Sequence, residues 1–279
     1  MFDISGNDLD TMRQSLYAFH MGTHNCLILA VILSAVLLAG CAGKTTRGES
    51  QDASAAQALV DESTAVLSKS LETDEKGVLK GLISRAKGVM IIPAIGDVSF
   101  FFSVGGGNAI ILANTDKGWT GPVFLSKGTA GFGFQAGISK QSGIMLYMHE
   151  DDVRYLLKTG AVLQGQARVT LLTSDYKGNE TPEFYESGDV YFVGEQSGLY
   201  AGIALDGGGF SDRVSLNEAY TKVEGGGPLA ILYEVGATPG GASQLREMLE
   251  QAGDDGKKAA DEAADDMTKK KDGTEVPSN

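Results

Sequence analysis

Cysteine is almost absent from this chain: its 279 residues hold two, Cys26 and Cys41. Cys26 lies in an apolar N-terminal run, so a chain processed after residue 40 keeps one cysteine and forms no internal disulfide. Histidine is nearly as scarce. Beyond residue 40 only His149 remains, which argues against a serine–histidine triad or a multi-histidine metal site. Basic residues are few, 23 Lys and Arg against 36 Asp and Glu, for a net charge of −13. Removing residues 1–40 takes away Asp3, Asp8, Asp10 and Arg13, a net of −2, and leaves −11. Such a chain lacks the electrostatic footprint of a nucleic-acid binder. It is also repelled on average by an anionic membrane, so any lipid contact must be local or apolar. Proline is scarce at 6 while glycine reaches 38. That combination, without a three-residue period, excludes both a collagen and a proline-rich linker.

The apolar run at the N-terminus sets the compartment. Residues 26–39 carry no charge and are too few to span a bilayer comfortably, as in a signal-peptide core. They run directly into Leu38-Ala39-Gly40-Cys41, which resembles the lipobox of bacterial lipoproteins: small residues before the cut, then a cysteine that receives diacylglycerol. Residues 1–40 are therefore expected to be a lipoprotein signal peptide, with Cys41 lipidated. An uncleaved membrane anchor is the competing reading. Three aspartates within residues 1–11 suit no signal peptide, so translation is expected to begin at Met12 or Met21. Ala42 after the cysteine resembles a Gram-negative sorting signal for the outer membrane, facing the periplasm. Small polar residues over 41–53 suit a flexible tether.

The folded domain is expected over residues 54–250, followed by a disordered or weakly helical polar tail over 251–279. From Ala55 to Lys87 the apolar residues recur at spacings of three and four, giving two helices broken near Thr73-Asp74-Glu75 and Gly77, with Thr73 or Asp74 as the second N-cap. They either pack on the domain or face a membrane. The pattern then changes to strands. Gly88–Pro93 is a continuous apolar run that proline is expected to stop. Further runs cover 98–104, 108–113, 119–125, 130–138 and 144–148, with Gly105-Gly106-Gly107 read as a turn. A helix is expected over Glu150–Lys158, with acids leading and Lys158 closing. More strands follow at 162–172, 189–194 and 199–205, then helices at 216–222 and 244–251. Eight or nine short strands with glycine-rich connections give an α+β fold: a strongly curved antiparallel sheet or barrel-like β core, with N-terminal helices and short peripheral ones.

Few motifs carry chemistry. The glycine clusters at 105–107, 207–209 and 225–227 lack the lysine and helix start of a phosphate loop. Glu150, Asp151 and Asp152 lack the alternating spacing of a calcium loop and read as a helix start. His149 reads as capping that turn. No cofactor or metal is expected. Two features invite a functional reading. One is Phe100-Phe101-Phe102, which cannot all face one core from a strand. The other is the basic group Lys80, Arg85 and Lys87 at the end of the second helix. Core packing and a dipole-complementing helix end are the structural alternatives.

Several segments in order resemble the SYLF family of lipid-binding domains: Arg85–Pro93, Trp119–Phe124, Gly131–Gly137, Ile144–Glu150 and Ser197–Gly207. The likeness runs from about Ala55 to Gly225. It implies a non-enzymatic domain that binds phospholipid head groups or membrane surfaces, with Lys80, Arg85, Lys87, Phe100, Phe101 and Phe102 as the lipid-binding residues. The chain departs from the family at Ala94, where lysine is usual, and at Asp97-Val98-Ser99-Phe100, where glycine is. The phosphoinositide and actin partners of eukaryotic members do not transfer to an exported bacterial protein. The expected partners are membrane phospholipid, through the Cys41 anchor and the domain surface, and an envelope protein; nucleic acid is not among them. A protein-binding envelope lipoprotein without specific lipid recognition is the alternative, supported by the acidic surface, which suits a cationic partner.

Overall fold

A computed structural model describes residues 48–162, 169–173, 188–194 and 209–272, without the side chains of 94–105, 129–141, 169, 171, 173 and 266–272. Residues 48–279 form one compact unit. Its elements are α1 (Glu49–Glu72), α2 (Val78–Ile83), β1 (Gly88–Thr115), β2 (Gly118–Tyr147), α3 (Glu150–Thr159), β3 (Val169–Thr173), β4 (Val190–Gly194), β5 (Phe210–Asp212), α4 (Val214–Thr221) and α5 (Ser243–Asp272). A π-helical turn, Ala230–Glu234, lies between α4 and α5.

The sheet is built around one long hairpin. β1 and β2 pair antiparallel from Gly88↔Tyr147 to Thr115↔Gly118. A straight strand of 28 residues would be about 90 Å long, but β1 doubles back on itself. The Asn114 N–H donates to the Lys87 carbonyl at 3.0 Å, and a Cβ on Gly88 would stand 3.5 Å from the Leu112 carbonyl oxygen. The two ends of one strand therefore lie side by side. β2 continues the sheet to β4, and β4 to β3, while β5 pairs with the other end of β2. The sheet is strongly curved but not closed into a barrel, and β3 runs parallel to β4.

The expected fold class holds, with corrections to the strands. The separate runs between residues 88 and 148 merge into two strands. Gly105-Gly106-Gly107 is no turn: these residues pair with Thr129, Gly128 and Lys127 within the ladder. Pro93 does not end β1 either. It falls in the register shift between Ile92 and Ile95, where a missing N–H costs no ladder bond. The segments at 163–168, 174–187 and 195–208 lie outside the described residues, as do the signal segment, Cys41 and its tether to residue 47.

Both faces of the sheet are covered. On one side Val89, Ile91, Ile110, Leu112, Phe124, Ile144 and Leu146 pack with Ala56, Val60 and Leu67 of α1, Leu79, Leu82 and Ile83 of α2, and Leu245 and Leu249 of α5. On the other, Met90, Ile92, Ile111, Val123, Met145 and Tyr147 pack with Val153 and Leu156 of α3 and with Ile231 and Leu232. A sheet buried on both faces reads as unbroken apolar runs rather than as alternation, which is why Val89–Ile92 and Ile144–Tyr147 carry no polar residue.

The helix ends follow local chemistry. α1 stops at Thr73, and Gly77, at φ 70°, starts α2. The N-cap is Gly77 and not Thr73 or Asp74 as expected; Asp74, three residues before it, instead accepts from the Lys80 N–H in the first turn at 3.0 Å. α3 closes at Gly160, φ 75°, where a Cβ would strike the Phe210 carbonyl. The tether and tail need adjustment: α1 begins at Glu49 with Asp52 buried, and α5 runs to Asp272. Polar composition over 251–272 suggests disorder. Helix prevails because buried Ala252, Gly253 and Gly256 line α5, with Gly253 and Gly256 set close against α2, and because ion pairs such as Lys257–Asp254 support its exposed side.

Candidate functional site

The helical face of the unit carries two features. The first is the link from α2 into β1. Arg85 and Lys87 are exposed on either side of buried Ala86. The link is held firmly: the Ala86 N–H donates to the Leu82 carbonyl at 3.0 Å, the Lys87 N–H to the Tyr147 carbonyl at 2.8 Å, and the Lys87 carbonyl accepts from Asn114. Two cations are thus displayed from a backbone fixed by both ends of the sheet.

Lys80 is not part of that display. From α2 its ammonium reaches Asp255 of α5 at 3.2 Å, and Gln251 donates to the same carboxylate at 2.8 Å. The bonds from Gln251 and then Lys80 hold Asp255 below the ordinary aspartate range. The expected basic trio therefore divides into an exposed pair and one lysine spent on a helix–helix contact. Phe100, Phe101 and Phe102 lie in β1, with Phe101 paired to Gly133 and Phe102 to Phe132; their side chains fall outside the described part.

The second feature is a groove of about 490 Å³ bounded by α1, α2 and α5. Its apolar lining is Leu71, Met248 and Ala252, and its charged lining is Glu72, Glu247, Asp255 and Lys80. Sequence reading does not find it, because its walls come from residues 68–80 and 244–255 and the second stretch borders the expected tail. On α5, Glu247, Met248, Gln251 and Asp255 do recur at helical spacing, and that is the one signal available beforehand.

Buried polar groups fix the far side of these helices. Asn217 of α4 is buried and pairs with strand β2 as a neighbouring strand would: it accepts from the Phe124 N–H at 2.7 Å and donates to the Phe124 carbonyl at 3.0 Å. It also donates to Asp212, whose carboxyl is pushed above its ordinary range, chiefly by burial. The Tyr220 ring meets Phe124 edge-on at 5.2 Å, and its hydroxyl donates to Gln57 of α1 at 2.9 Å. Burial pushes this phenol up to about 12. Lys127 is buried, its ammonium 5.8 Å from the centre of the Phe210 ring. His149 stands at the N-cap position of α3, but its side chain faces Asp189 at 3.3 Å instead of capping the helix. Among the described residues no group of three or more His, Cys, Asp and Glu is placed to hold a metal ion, and no helix is long and apolar enough to cross a membrane.

Residues 128–252 match the Ysc84 family, described as "Las17-binding protein actin regulator". An SH3 domain-containing YSC84-like protein 1 from Xenopus laevis is 28% identical over 173 residues, covering 61% of this chain and 51% of that protein. The proteins of the same name from Bos taurus and Homo sapiens are 28% and 27% identical over 143 residues, covering 50% of this chain and 41% of each relative. The chain thus spans about half the length of the curated relatives it matches, or less. No solved structure matches it. The match begins in β2 and runs through β4, β5 and α4 into α5, taking in the Phe124-facing helix and one wall of the groove, and over these residues the chain is similar to the SYLF, or Ysc84, domain family.

Proposed function

We propose that this protein is a lipoprotein of the bacterial cell envelope, anchored through diacylglycerol on Cys41 and most at home on the periplasmic face of the outer membrane, whose SYLF domain contacts phospholipid without catalysing a reaction. The observation that carries the lipid contact is the exposed pair Arg85 and Lys87 on a backbone pinned by hydrogen bonds at both sides. A backbone already held in place loses no further freedom when these cations meet a phosphate, which offsets part of the repulsion from an acidic chain. The tether supports the same reading. Two or more acyl chains hold a protein at the surface, and tethering raises the local concentration so that a weak head-group contact suffices. Phe100, Phe101 and Phe102 supply the apolar part of the contact. The actin-regulator description belongs to the matching family; for an exported chain the lipid contact is the part of that resemblance that the compartment allows.

The test is co-sedimentation of residues 48–279 with zwitterionic and anionic vesicles at low and high salt. Binding to the anionic vesicles should weaken with salt and fall in the Arg85→Ala/Lys87→Ala variant. Binding that ignores both changes, or no binding to either vesicle, refutes head-group recognition. Lipidation is read separately, as the mass of diacylglycerol lost in Cys41→Ser.

A further inference from the structure

We propose that the groove between α1, α2 and α5 docks a cationic amphipathic helix of a partner protein. The inference is independent of the phospholipid contact, which lies at Arg85 and Lys87. Three observations select the occupant. The groove's apolar lining, half-buried Leu71 and Met248 with buried Ala252, offers a surface for the apolar stripe of a helix. Met248 is unbranched and adapts to the side chain that meets it. Above that lining the charge is one-sided. Lys80, the one cation among the lining residues, is already committed to Asp255. Glu72 on α1 and Glu247 on α5, both exposed, therefore set the sign at the groove's edges. An anionic ligand would meet like charge there, and so would a second copy of a chain carrying −13. A lysine- or arginine-bearing helix meets opposite charge at both rims while its apolar side covers Leu71 and Met248. The open groove, about 490 Å³ in volume, suits a few side chains of such a helix.

The experiment uses the full chain in a neutral detergent and a fluorescent helix-forming lysine–leucine peptide, with its glutamate–leucine counterpart as comparison. Anisotropy should show salt-sensitive binding of the lysine peptide and none of the glutamate peptide. Glu72→Gln/Glu247→Gln should weaken the lysine peptide about tenfold or more. Asp261→Asn/Glu262→Gln removes the same charge from the exposed, distal part of α5 and should leave binding within about twofold. Both double variants change exposed side chains, and far-UV circular dichroism confirms their fold. Equal weakening by the two variants would mean attraction to overall charge and would overturn the proposal. So would binding that neither variant alters, or no binding at all. Self-association of the chain that is lost only in Glu72→Gln/Glu247→Gln would assign the groove to a second copy and would equally overturn it.

Discussion

Two glycines three residues apart on α5 should respond in opposite ways to the same substitution. Gly256 lies against the backbone of α2. A Cβ there would overlap the Lys80 carbonyl oxygen and stand 2.6 Å from its carbon and 2.9 Å from the Gly81 nitrogen. None of these atoms can swing aside, so α5 would have to retreat by about 1 Å, loosening Leu245, Leu249 and Ala252 from a close-packed core. Overpacking against backbone costs up to about 3 kcal/mol, while replacing glycine by alanine inside a helix returns about 1 kcal/mol. Gly256→Ala should therefore destabilise by about 2 kcal/mol. At Gly253 the nearest atoms to a Cβ are Ser84 Cα at 3.6 Å and Ile83 Cγ2 at 3.8 Å, ordinary contacts. Only the helix term remains, and Gly253→Ala should stabilise by up to about 1 kcal/mol. Urea unfolding followed by circular dichroism reads both, and the slope with denaturant should match the parent's. If the two variants shift in the same direction, or if Gly256→Ala is the more stable, α5 does not pack on α2 in this way.

Asn217→Ala should cost about 2–3 kcal/mol in the same assay, because it strands the buried Phe124 N–H and removes a donor from Asp212. Lys222 ends α4 at φ 60° without being glycine; Lys222→Gly should stabilise by about 1 kcal/mol despite losing the exposed ion pair to Glu49. Tyr220 ionises later in the folded than in the unfolded chain. Its contribution is therefore fully present below pH 10 and is lost as pH rises from 10 to about 12. The difference in urea midpoint between parent and Tyr220→Phe should shrink across that interval; a difference independent of pH would contradict burial of the phenol.

How much of this was readable beforehand depended on whether the signal was local. α1, α2 and the break at Gly77 follow from apolar spacing and a positive-φ glycine, and α3 from its acidic start and Gly160. The unbroken apolar runs identified buried strands correctly, because helices cover both faces of the sheet. The doubling-back of β1 left a misleading trace: three glycines and a proline look like strand ends, yet the ladder passes straight through the glycines and shifts register at the proline. Beyond Gln251, α5 reads as no more than disordered or weakly helical, because its inner side is held by small residues, Ala252, Gly253 and Gly256, which carry almost no hydropathy signal. The groove depends on that helix and on a partner wall more than 160 residues away. Of the expected lipid-binding residues, Arg85 and Lys87 stand exposed as a local basic cluster should, whereas the pairing of Lys80 with Asp255 is a long-range event.

The two-faced burial of the β1–β2 hairpin also bears on folding fidelity. In a sheet with one wet face, a slip of one residue drives charges into the core and is rejected at once. Here a slipped Val89–Ile92 would still present only apolar groups to both layers, so polarity cannot proofread the pairing. Alignment has to be set by geometry: the Thr115–Gly118 turn, closed by the Thr115 hydroxyl donating to the Gly118 carbonyl at 3.0 Å, and the three register shifts farther along the ladder. Errors made at that turn would propagate the length of both strands, which makes four residues at the hairpin's tip the place where the whole sheet is indexed.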